Sequence, residues 1–526
     1  MSAVLLEASI NWLAAAGNRQ LLTDGLRGFE KECLRVARDG YLSQAPHSPN
    51  WGSALTHPYL TTDYSEALLE FVTPPNEQIE SSLTCLEQLH AFVVQNSTDE
   101  LLWPTSMPCN IVDDESIPIA QYGGSNEGRL RSIYRSGLGF RYGRAMQAIA
   151  GTHFNFSLPA DFWPAFQEFV GSDLEAQSFR SDRYMGLVRN FRRFGWLVTY
   201  LYGASPAFSK SFRLNGHARL ESLSHDTWFA PNSTSLRMSD MGYRNSTQAR
   251  LSISVNSLDE YLGELTTALT TREPRYEAIG VVVDGIYRQL SANRLQLENE
   301  YYSSIRPKPA SKKPRLIAAL RETGVEYVEV RTLDINPFTP LGVTAEQARF
   351  IEVLLIYCLL VESGPISVSE QSEIDQRELA VAWEGRKPNL RLNLDGRETA
   401  MQSWALELLD EFQVLAQLLD DDKGLYTQAV GHAREAIIDS GQTLSAKVLS
   451  ELQSGTGSFF DWALNLAGQQ RQHFLNYEFL PGQLQALQEV GAKSLRQAQA
   501  QESAEEPSFE EYLASFLASG IGSISG

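Results

Sequence analysis

Two carboxylates on one predicted strand are the first candidates for chemistry. Residues 28–36 alternate closely enough to predict a strand, followed by an Asp-Gly turn. Glu30 and Glu32 are two positions apart, so both point to the same face of that strand. Apolar neighbours predict partial burial, where paired carboxylates repel each other unless a cation or an arginine compensates their charge. A solvated strand face is the plainer alternative and stays open.

A second acidic segment lies at residues 62–72. Glu70 interrupts an apolar run that ends at two consecutive prolines. If the segment is helical, Asp63, Glu66 and Glu70 share one face. If its second half is a strand, Glu70 lies alone on the inner face and Asp63 approaches from a loop. Both alternatives add buried acids to the candidate set.

Two further predicted strands carry polar side chains. The first, at residues 150–158, places His153 and Asn155 on one face. A single histidine there is more often a hydrogen-bonded core residue than a ligand, so that alternative also stays open. The second strand, at residues 325–333, places Glu329 and Arg331 on one face. An arginine beside carboxylates suits a phosphate that metal ions also hold.

Taken together, these segments predict a site for phosphoryl transfer. The side chains concerned are Glu30, Glu32, Asp63, Glu70, His153, Glu329 and Arg331. An oxygen-rich set with one imidazole suits Mg²⁺ or Mn²⁺ bridging nucleotide phosphates, rather than zinc or iron. In such chemistry the metal ions neutralise the phosphates and Arg331 stabilises the transferring group. The sequence contains no P-loop, nucleophile-elbow or HExxH motif that would indicate another design.

The elements that must position these residues predict an α+β fold. The chain has 526 residues, of which 43% are hydrophobic and 21% charged, as in ordinary globular proteins. We expect a catalytic α+β core at residues 1–345 and a mainly helical region at residues 346–526 packed on it. Predicted helices include residues 79–94, 184–202, 346–362, 401–419, 424–438, 458–474 and 481–501, and further strands are predicted at residues 279–287 and 295–301.

Charge and composition exclude several partners. The net charge of −20 would repel a phosphate backbone, so we expect no nucleic-acid partner. The longest apolar run, residues 353–361, is shorter than the ~20 residues that span a bilayer, which predicts a buried helix and no membrane partner. Residues 1–22 indicate an amphipathic helix rather than a signal peptide. Four cysteines without a CxxC pair indicate reduced structural thiols. A cytoplasmic location is expected.

Several strings of residues, in order along the chain, resemble the γ-proteobacterial type of glutamate–cysteine ligases. The resemblance runs from about residue 20 to 345, with a short extension at residues 384–388. Among the strings are Gly28-Phe-Glu-Lys-Glu-Cys-Leu-Arg35, Glu66-Ala-Leu-Leu-Glu-Phe-Val-Thr-Pro74, Gly151-Thr-His-Phe-Asn-Phe-Ser157, Ser233-Thr-Ser-Leu-Arg237, Ile305-Arg-Pro-Lys308 and Glu329-Val-Arg-Thr-Leu-Asp-Ile-Asn-Pro-Phe338.

The resemblance implies a reaction and a fold. The family uses ATP to phosphorylate the γ-carboxylate of L-glutamate, and the amine of L-cysteine then displaces phosphate to give γ-glutamylcysteine, the first step of glutathione synthesis. The fold it implies resembles glutamine synthetase, in which a curved antiparallel sheet forms a tunnel surrounded by helices. Glutathione is a candidate feedback inhibitor, and a monomer is expected.

The resemblance also implies roles for individual residues. The metal ligands would be Glu30, Glu32, Asp63, Glu70, His153 and Glu329, with Asn155 beside them. Arg331 would steady the transferring phosphoryl group, and Arg135 would serve the same group. The cysteine pocket would comprise Tyr134, Leu138, Gln147, Arg237, Tyr243 and Tyr302, although core packing is an alternative for Tyr134, Leu138 and Tyr243.

Three alternatives to the cysteine ligase stay open at this point. The chain could be a related carboxylate–amine ligase that joins glutamate to a different amine. It could be a binding protein that kept the fold and lost catalysis, although every expected metal-site acid and Arg331 are retained. It could also be a metal-dependent phosphohydrolase, which would release phosphate from ATP without needing both amino acids.

Overall fold

One antiparallel sheet occupies the centre of the protein. The structure is a computed structural model, which describes residues 2–520 except 16, 98, 213–217, 243–250, 312 and 395. In the described residues the strands are β1 Leu26–Val36, β2 Leu60–Thr62, β3 Leu68–Val72, β4 Leu101–Leu102, β5 Thr152–Ser157, β6 Ala207–Ser209, β7 Glu221–Ser222, β8 Thr227–Phe229, β9 Val282–Val283, β10 Ile286–Tyr287, β11 Ile305–Lys308, β12 Tyr327–Leu333, β13 Arg391–Leu394 and β14 Arg397–Ala400. The central sheet has the order β11-β12-β5-β1-β3-β2, with β4 paired to the end of β1.

The strand register collects the polar side chains on one face of this sheet. Glu30 of β1 lies opposite His153 of β5, and Glu32 lies opposite Glu70 of β3. Asn155 of β5 lies opposite Glu329 of β12. Directly opposed residues of an antiparallel pair share a face, so these side chains form one continuous polar surface. The intervening residues, such as Phe29, point to the other face, where they are fully buried.

Helices cover the apolar face and surround the sheet. In the described residues they are α1 Ser2–Ala14, α2 Gln20–Thr23, α3 Ile79–Gln95, α4 Asn126–Tyr142, α5 Phe162–Val170, α6 Ala176–Phe194, α7 Trp196–Tyr202, α8 Leu258–Thr270, α9 Pro274–Ile279, α10 Leu316–Thr323, α11 Ala345–Leu360, α12 Val368–Glu384, α13 Met401–Leu419, α14 Leu425–Ile438, α15 Leu444–Ser454, α16 Phe459–Leu475, α17 Gln483–Glu502 and α18 Phe509–Ser519. α3 packs on β1, and α6 packs on α11 and on β11 and β12. The largest hydrophobic cluster combines side chains from both sides of residue 345.

The α+β fold with an antiparallel sheet and a helical C-terminal region is confirmed. The predicted strands at residues 28–36, 150–158 and 325–333 match β1, β5 and β12. The apolar run at residues 353–361 falls largely in α11, which is buried along most of its length. In the described part of the chain, no helix is both long and apolar enough to cross a membrane.

Three local predictions were wrong. The strand predicted at residues 295–301 is a loop with a 3-10 turn at Glu298–Glu300, because both glutamates are drawn inward by buried arginines. The strand predicted at residues 279–287 is the end of α9 followed by the β9–β10 hairpin, whose Asp284 adopts a left-handed φ of 51°. The single helix predicted at residues 184–202 is two helices separated at Gly195.

A buried ion pair joins the central sheet to the helical C-terminal region. The Nε atom of Arg27, on β1, donates to Glu352 Oε2 of α11 at 3.1 Å, and a second bond joins Arg27 Nη2 to Oε1. Tyr426 of α14 donates its hydroxyl to the same Oε2 at 3.0 Å. Both charged side chains are almost completely buried. Removing one partner of such a pair leaves the other charge buried and uncompensated.

We predict that Glu352→Gln lowers the free energy of unfolding by about 3–5 kcal/mol, because it leaves the Arg27 guanidinium buried without its counter-charge. Glu346→Gln, on the same helix, is the matched control. Glu346 pairs with His432 at an exposed site, so its loss should cost less than about 1 kcal/mol. Urea unfolding followed by tryptophan fluorescence measures both, and equal losses would contradict the assignment.

Candidate active site

A cluster of three ionisable side chains lies at the middle of the polar sheet face. His153 Nδ1 is 3.1 Å from Glu30 Oε2 and 3.5 Å from Glu329 Oε1. Asn155 donates its Nδ2 to Glu30 Oε1 at 2.9 Å. One ligand atom from each of Glu30, His153 and Glu329 lies within 4.8 Å of the other two. Three neighbouring strands thus supply donors close enough for a single metal ion.

A second acidic group continues the same face toward β2. Glu32 lies between the two groups: its Oε1 is 3.7 Å from His153 Nε2, and its Oε2 accepts a hydrogen bond from the Gly151 amide at 2.7 Å. Glu70 lies across from Glu32 on β3, and Asp63 follows directly after β2. Asp63 and Glu70 therefore approach from a loop and a strand, the second of the two arrangements that the sequence allowed.

Basic side chains compensate the acids at the opposite end of the face. Arg331 Nη1 donates to Glu329 Oε1 at 3.1 Å. Lys308 Nζ and Arg306 Nη1 are 3.6 Å and 3.9 Å from Glu329 Oε2. Arg306 and Lys308 both lie on β11, at the edge of the sheet beside β12. One end of the face therefore carries three cations and the other end carries carboxylates.

The pKa values of two glutamates reflect this separation of charge. For Glu329, burial opposes ionisation, but Lys308, Arg331 and His153 outweigh it and hold the carboxyl pKa well below its ordinary value. For Glu70, burial and then the charges of Asp63, Glu30 and Glu32 act in the same direction and hold the pKa well above its ordinary value. Without a bound cation, Glu70 is thus the acid on this face that most resists ionisation.

The polar face opens into a cavity of about 940 Å³. Its floor carries all six predicted metal ligands together with Arg306, Lys308 and Arg331. α4 forms a second wall with Tyr134, Arg135 and Leu138, and Gln147 follows close behind. The loop at residues 297–302 contributes a third wall, which includes Tyr302. Residues of α18 line the remaining side. This volume and mixed lining suit a nucleotide together with small amino acids.

Two predicted site residues do not line this cavity. Asn155 lies beneath it and hydrogen-bonds Glu30, as described above. Arg237 is only 1% exposed and donates its Nη2 to the Arg331 carbonyl at 2.9 Å, while its Nη1 is 3.6 Å from Asp334 Oδ1. Its guanidinium packs so closely on Gly151 that a Cβ there would meet it at 2.0 Å. Tyr243 lies outside the described residues.

Arg135 contacts the loop that carries Asp63. Its Nε donates to the Asp63 carbonyl, and its Nη2 donates to the Thr62 carbonyl at 3.2 Å. Its guanidinium also lies 4.6 Å from the centre of the Tyr122 ring. Arg135 therefore lines the cavity and anchors the loop that presents one of the acids.

Sequence reasoning missed some residues that line the site. Arg306 and Lys308 occupy alternate positions of one strand, a spacing that could have placed both on the face of Glu329. Tyr512 and Phe516 of α18 also line the cavity. Nothing in the local sequence of α18 indicates that these side chains line the cavity, because α18 and α4, which lie on the same cavity, are almost 400 residues apart along the chain.

The donor atoms on the sheet face fit a hard divalent cation. Among the described residues, His153 Nε2 and Glu329 Oε2 are buried without a hydrogen-bond partner, although Glu329 Oε2 lies near two cations. Buried polar atoms are normally satisfied, so these atoms point to a missing partner. Carboxylate oxygens with one imidazole are the donor set of Mg²⁺ or Mn²⁺. The residues present therefore fit the expected metal.

The fold and this face together are typical of enzymes that act on nucleotide phosphates. The family model described as glutamate–cysteine ligase matches residues 10–381. A glutamate–cysteine ligase of Alcanivorax borkumensis is 46% identical over 521 residues, which cover 97% of this chain and 99% of that protein. One from Pseudomonas aeruginosa is 43% identical over 524 residues and covers 99% of both chains.

Solved structures agree with this assignment. The glutamate–cysteine ligase of Francisella tularensis, crystallised in complex with AMP, superposes with a TM-score of 0.90 at 34% identity and covers 95% of this chain and 99% of that chain. A bifunctional glutathione synthetase from Pasteurella multocida, with a TM-score of 0.69 and 23% identity, covers 93% of this chain and 57% of that chain and shares the fold. The chain belongs to the glutamate–cysteine ligase family. It is a ligase, and its activity is the first step of glutathione synthesis.

We predict a pH-dependent effect of Glu70→Gln on stability when a chelator removes divalent cations. The folded pKa of Glu70 lies above its ordinary value of 4.5, so the folded state keeps a proton that the unfolded state releases. Stability of the unsubstituted protein therefore falls as pH rises from about 4.5 to the folded pKa, by up to about 1.4 kcal/mol per pH unit. Glutamine avoids this loss.

Urea unfolding of both proteins between pH 5 and 8 measures the effect. The stability advantage of Glu70→Gln should grow with pH and then level off. A stability advantage of Glu70→Gln that shrinks as pH rises would contradict the charge repulsion described for the Glu70 end of the face. So would a Glu70→Gln variant that is less stable than the unsubstituted protein at every pH.

Proposed function

We propose that the polar sheet face is where ATP phosphorylates the γ-carboxylate of L-glutamate. A γ-carboxylate oxygen attacks the terminal phosphorus of ATP, the bond to the bridging oxygen breaks, and ADP leaves. The amine of L-cysteine then attacks the acyl carbon of γ-glutamyl phosphate, loses a proton and expels phosphate. The single observation that carries this proposal is the Glu30–His153–Glu329 cluster beside Arg331, Arg306 and Lys308.

The metal ligands in this proposal are Glu30, Glu32, Asp63, Glu70, His153 and Glu329. The chemistry that Mg²⁺, or Mn²⁺, would supply there is neutralisation of phosphate charge. Asn155 orients Glu30 through its 2.9 Å hydrogen bond. Preorganised donors that need no rearrangement during the reaction are an effective means of stabilising a transition state.

Arg331 is proposed to stabilise the transferring phosphoryl group. It is only partly buried, it lines the cavity, and its Nη1 already donates a hydrogen bond to Glu329 Oε1 of the cluster. A planar guanidinium suits the oxygens of a phosphoryl group in flight. Arg135 is proposed to have a secondary role toward the same phosphoryl group, from the other end of the cavity. Its bonds to the carbonyls of Asp63 and Thr62 hold it there.

The cysteine subsite is proposed at the wall formed by α4 and the loop before β11. Tyr134, Leu138, Gln147 and Tyr302 line the cavity there and offer a half-apolar surface that suits a small thiol side chain. Arg237 is buried and hydrogen-bonds the Arg331 carbonyl of β12, and family resemblance assigns both Arg237 and Tyr243 to the subsite. Occupation of the same subsite by glutathione, which contains γ-glutamylcysteine, would account for feedback inhibition.

The finer features of the fold belong to the same proposal. The central sheet presents its polar face to the cavity, and helices cover its other face. This arrangement supports a glutamine-synthetase-like sheet that curves into a tunnel around ATP and the amino acids. The AMP complex of the Francisella relative supports nucleotide binding by a protein of this fold.

We predict that ADP release from Mg²⁺-ATP and L-glutamate requires L-cysteine and that Arg331→Ala lowers its rate by about 10²–10³-fold, because the transferring group loses a preorganised cation. Glu70→Gln should raise the Mg²⁺ concentration needed for half-maximal rate. Arg193→Ala is the control, since Arg193 pairs with Glu370 away from the cavity. ADP release indifferent to cysteine would indicate another amine or a hydrolase, and full activity in Arg331→Ala would contradict the role proposed for Arg331.

A further inference from the structure

Gln296 is a buried side chain that connects two walls of the cavity. It is fully buried, and each end of its amide is occupied. Its Oε1 accepts the Leu290 amide at 2.9 Å, and its Nε2 donates to the Tyr134 carbonyl on α4 at 3.3 Å. Its own backbone amide donates to Glu300 Oε2 at 2.6 Å. Gln296 therefore ties α4 to the loop that leads to Tyr302.

A buried ion pair fixes that loop from the other end of α4. Arg141 Nη1 lies 2.7 Å from Glu300 Oε1, and both side chains are fully buried. The Tyr142 hydroxyl donates to the same oxygen at 2.7 Å. Arg141 also donates its Nε and Nη2 to Gln289 Oε1, at 3.0 Å and 2.8 Å. Because these groups are buried and charge-assisted, they hold one geometry.

A glycine lets α4 approach Gln296 directly. A Cβ at Gly137 would lie 2.1 Å from Gln296 Oε1 and 2.6 Å from its Nε2. Gly137 is inside α4, where alanine is otherwise the preferred residue. The close contact gives a physical reason for glycine at this position, since any larger residue must displace the Gln296 amide.

We propose that Gln296 is a positioning residue of the amine subsite, held in place by the Arg141–Glu300 pair. The inference rests on the function proposed above and refines it. Tyr134 and Leu138 lie on α4, and Tyr302 lies at the end of the loop, so the Gln296 amide sets the distance between these two parts of the subsite. A displacement of about 1 Å between substrate-holding groups is enough to lower kcat/KM for that substrate strongly.

Gly137→Ala tests this inference, with Gly263→Ala as the matched control. Gly263 lies inside α8, and a Cβ added there meets no atom within 4 Å. Steady-state rates of ADP formation give kcat and the KM of each substrate. We expect Gly137→Ala to raise the KM for L-cysteine by about tenfold while kcat and the KM for ATP and L-glutamate change by less than about twofold. Gly263→Ala should change none of them.

Gln296→Met provides a second variant, because it keeps the side-chain length while removing the amide hydrogen bonds. Gln296→Met should also raise the KM for cysteine. A second readout compares two amine substrates, L-cysteine and L-2-aminobutyrate, which lacks the thiol. Both variants should alter the ratio between the kcat/KM values for these two substrates. A merely structural role would lower the melting temperature without changing this ratio.

Three outcomes are distinguishable. A selective rise in the KM for cysteine supports the inference. Unchanged KM values, or equal changes for all three substrates, in folded Gly137→Ala and Gln296→Met would overturn the positioning role and leave the ligase intact. Failure of the unsubstituted protein to require cysteine would instead overturn the proposed function on which the inference depends.

Discussion

Repulsion among carboxylates on one face of a sheet is the constraint on which the site depends. Glu30, Glu32, Glu70 and Glu329 lie on three of four adjacent strands, where burial weakens hydration and strengthens their mutual repulsion. Basic side chains on β11 and β12 outweigh the effect of burial on Glu329, whereas burial and the neighbouring acids outweigh the effect of Arg135 on Glu70. The face therefore has less positive charge at the Glu70 end than at the Glu329 end, and a bound cation at the Glu70 end would stabilise it.

The remainder of the fold keeps this face rigid. Residues that alternate with the acids point to the rear of the sheet, where Phe29 packs on Phe154 and where helices cover the strands. Lys31 also points to the rear and lies 3.1 Å from His90 Nε2, and burial lowers its pKa. The walls opposite the sheet are fixed by buried ion pairs, among them Arg141 with Glu300 and Arg315 with Glu298. Buried ion pairs of this kind limit the movement of the walls, which is a condition for a preorganised site.

Local patterns predicted the strands that carry the acids, because alternation and carboxylates within apolar runs are visible in short windows. They failed where a long-range contact decides the structure. The sequence around Glu298 resembles a strand, but buried Arg315 draws the Glu298 side chain inward and a 3-10 turn results. The burial of Arg237 against Asp334 and the contribution of Phe516 to the cavity likewise depend on segments distant along the chain. The positions of the acids were therefore easier to predict than the walls that enclose them.

The most direct test of this account is a count of bound Mn²⁺ by electron paramagnetic resonance, in the unsubstituted protein and in Glu329→Gln and Glu70→Gln. The account predicts saturable binding in the unsubstituted protein, weakened at least about tenfold in each variant, because each removes a carboxyl ligand from the same face. Glu362→Gln, outside the residues that line the cavity, should bind Mn²⁺ as the unsubstituted protein does. Equal Mn²⁺ affinity in all four proteins would contradict the assignment of the carboxylate face as the metal site.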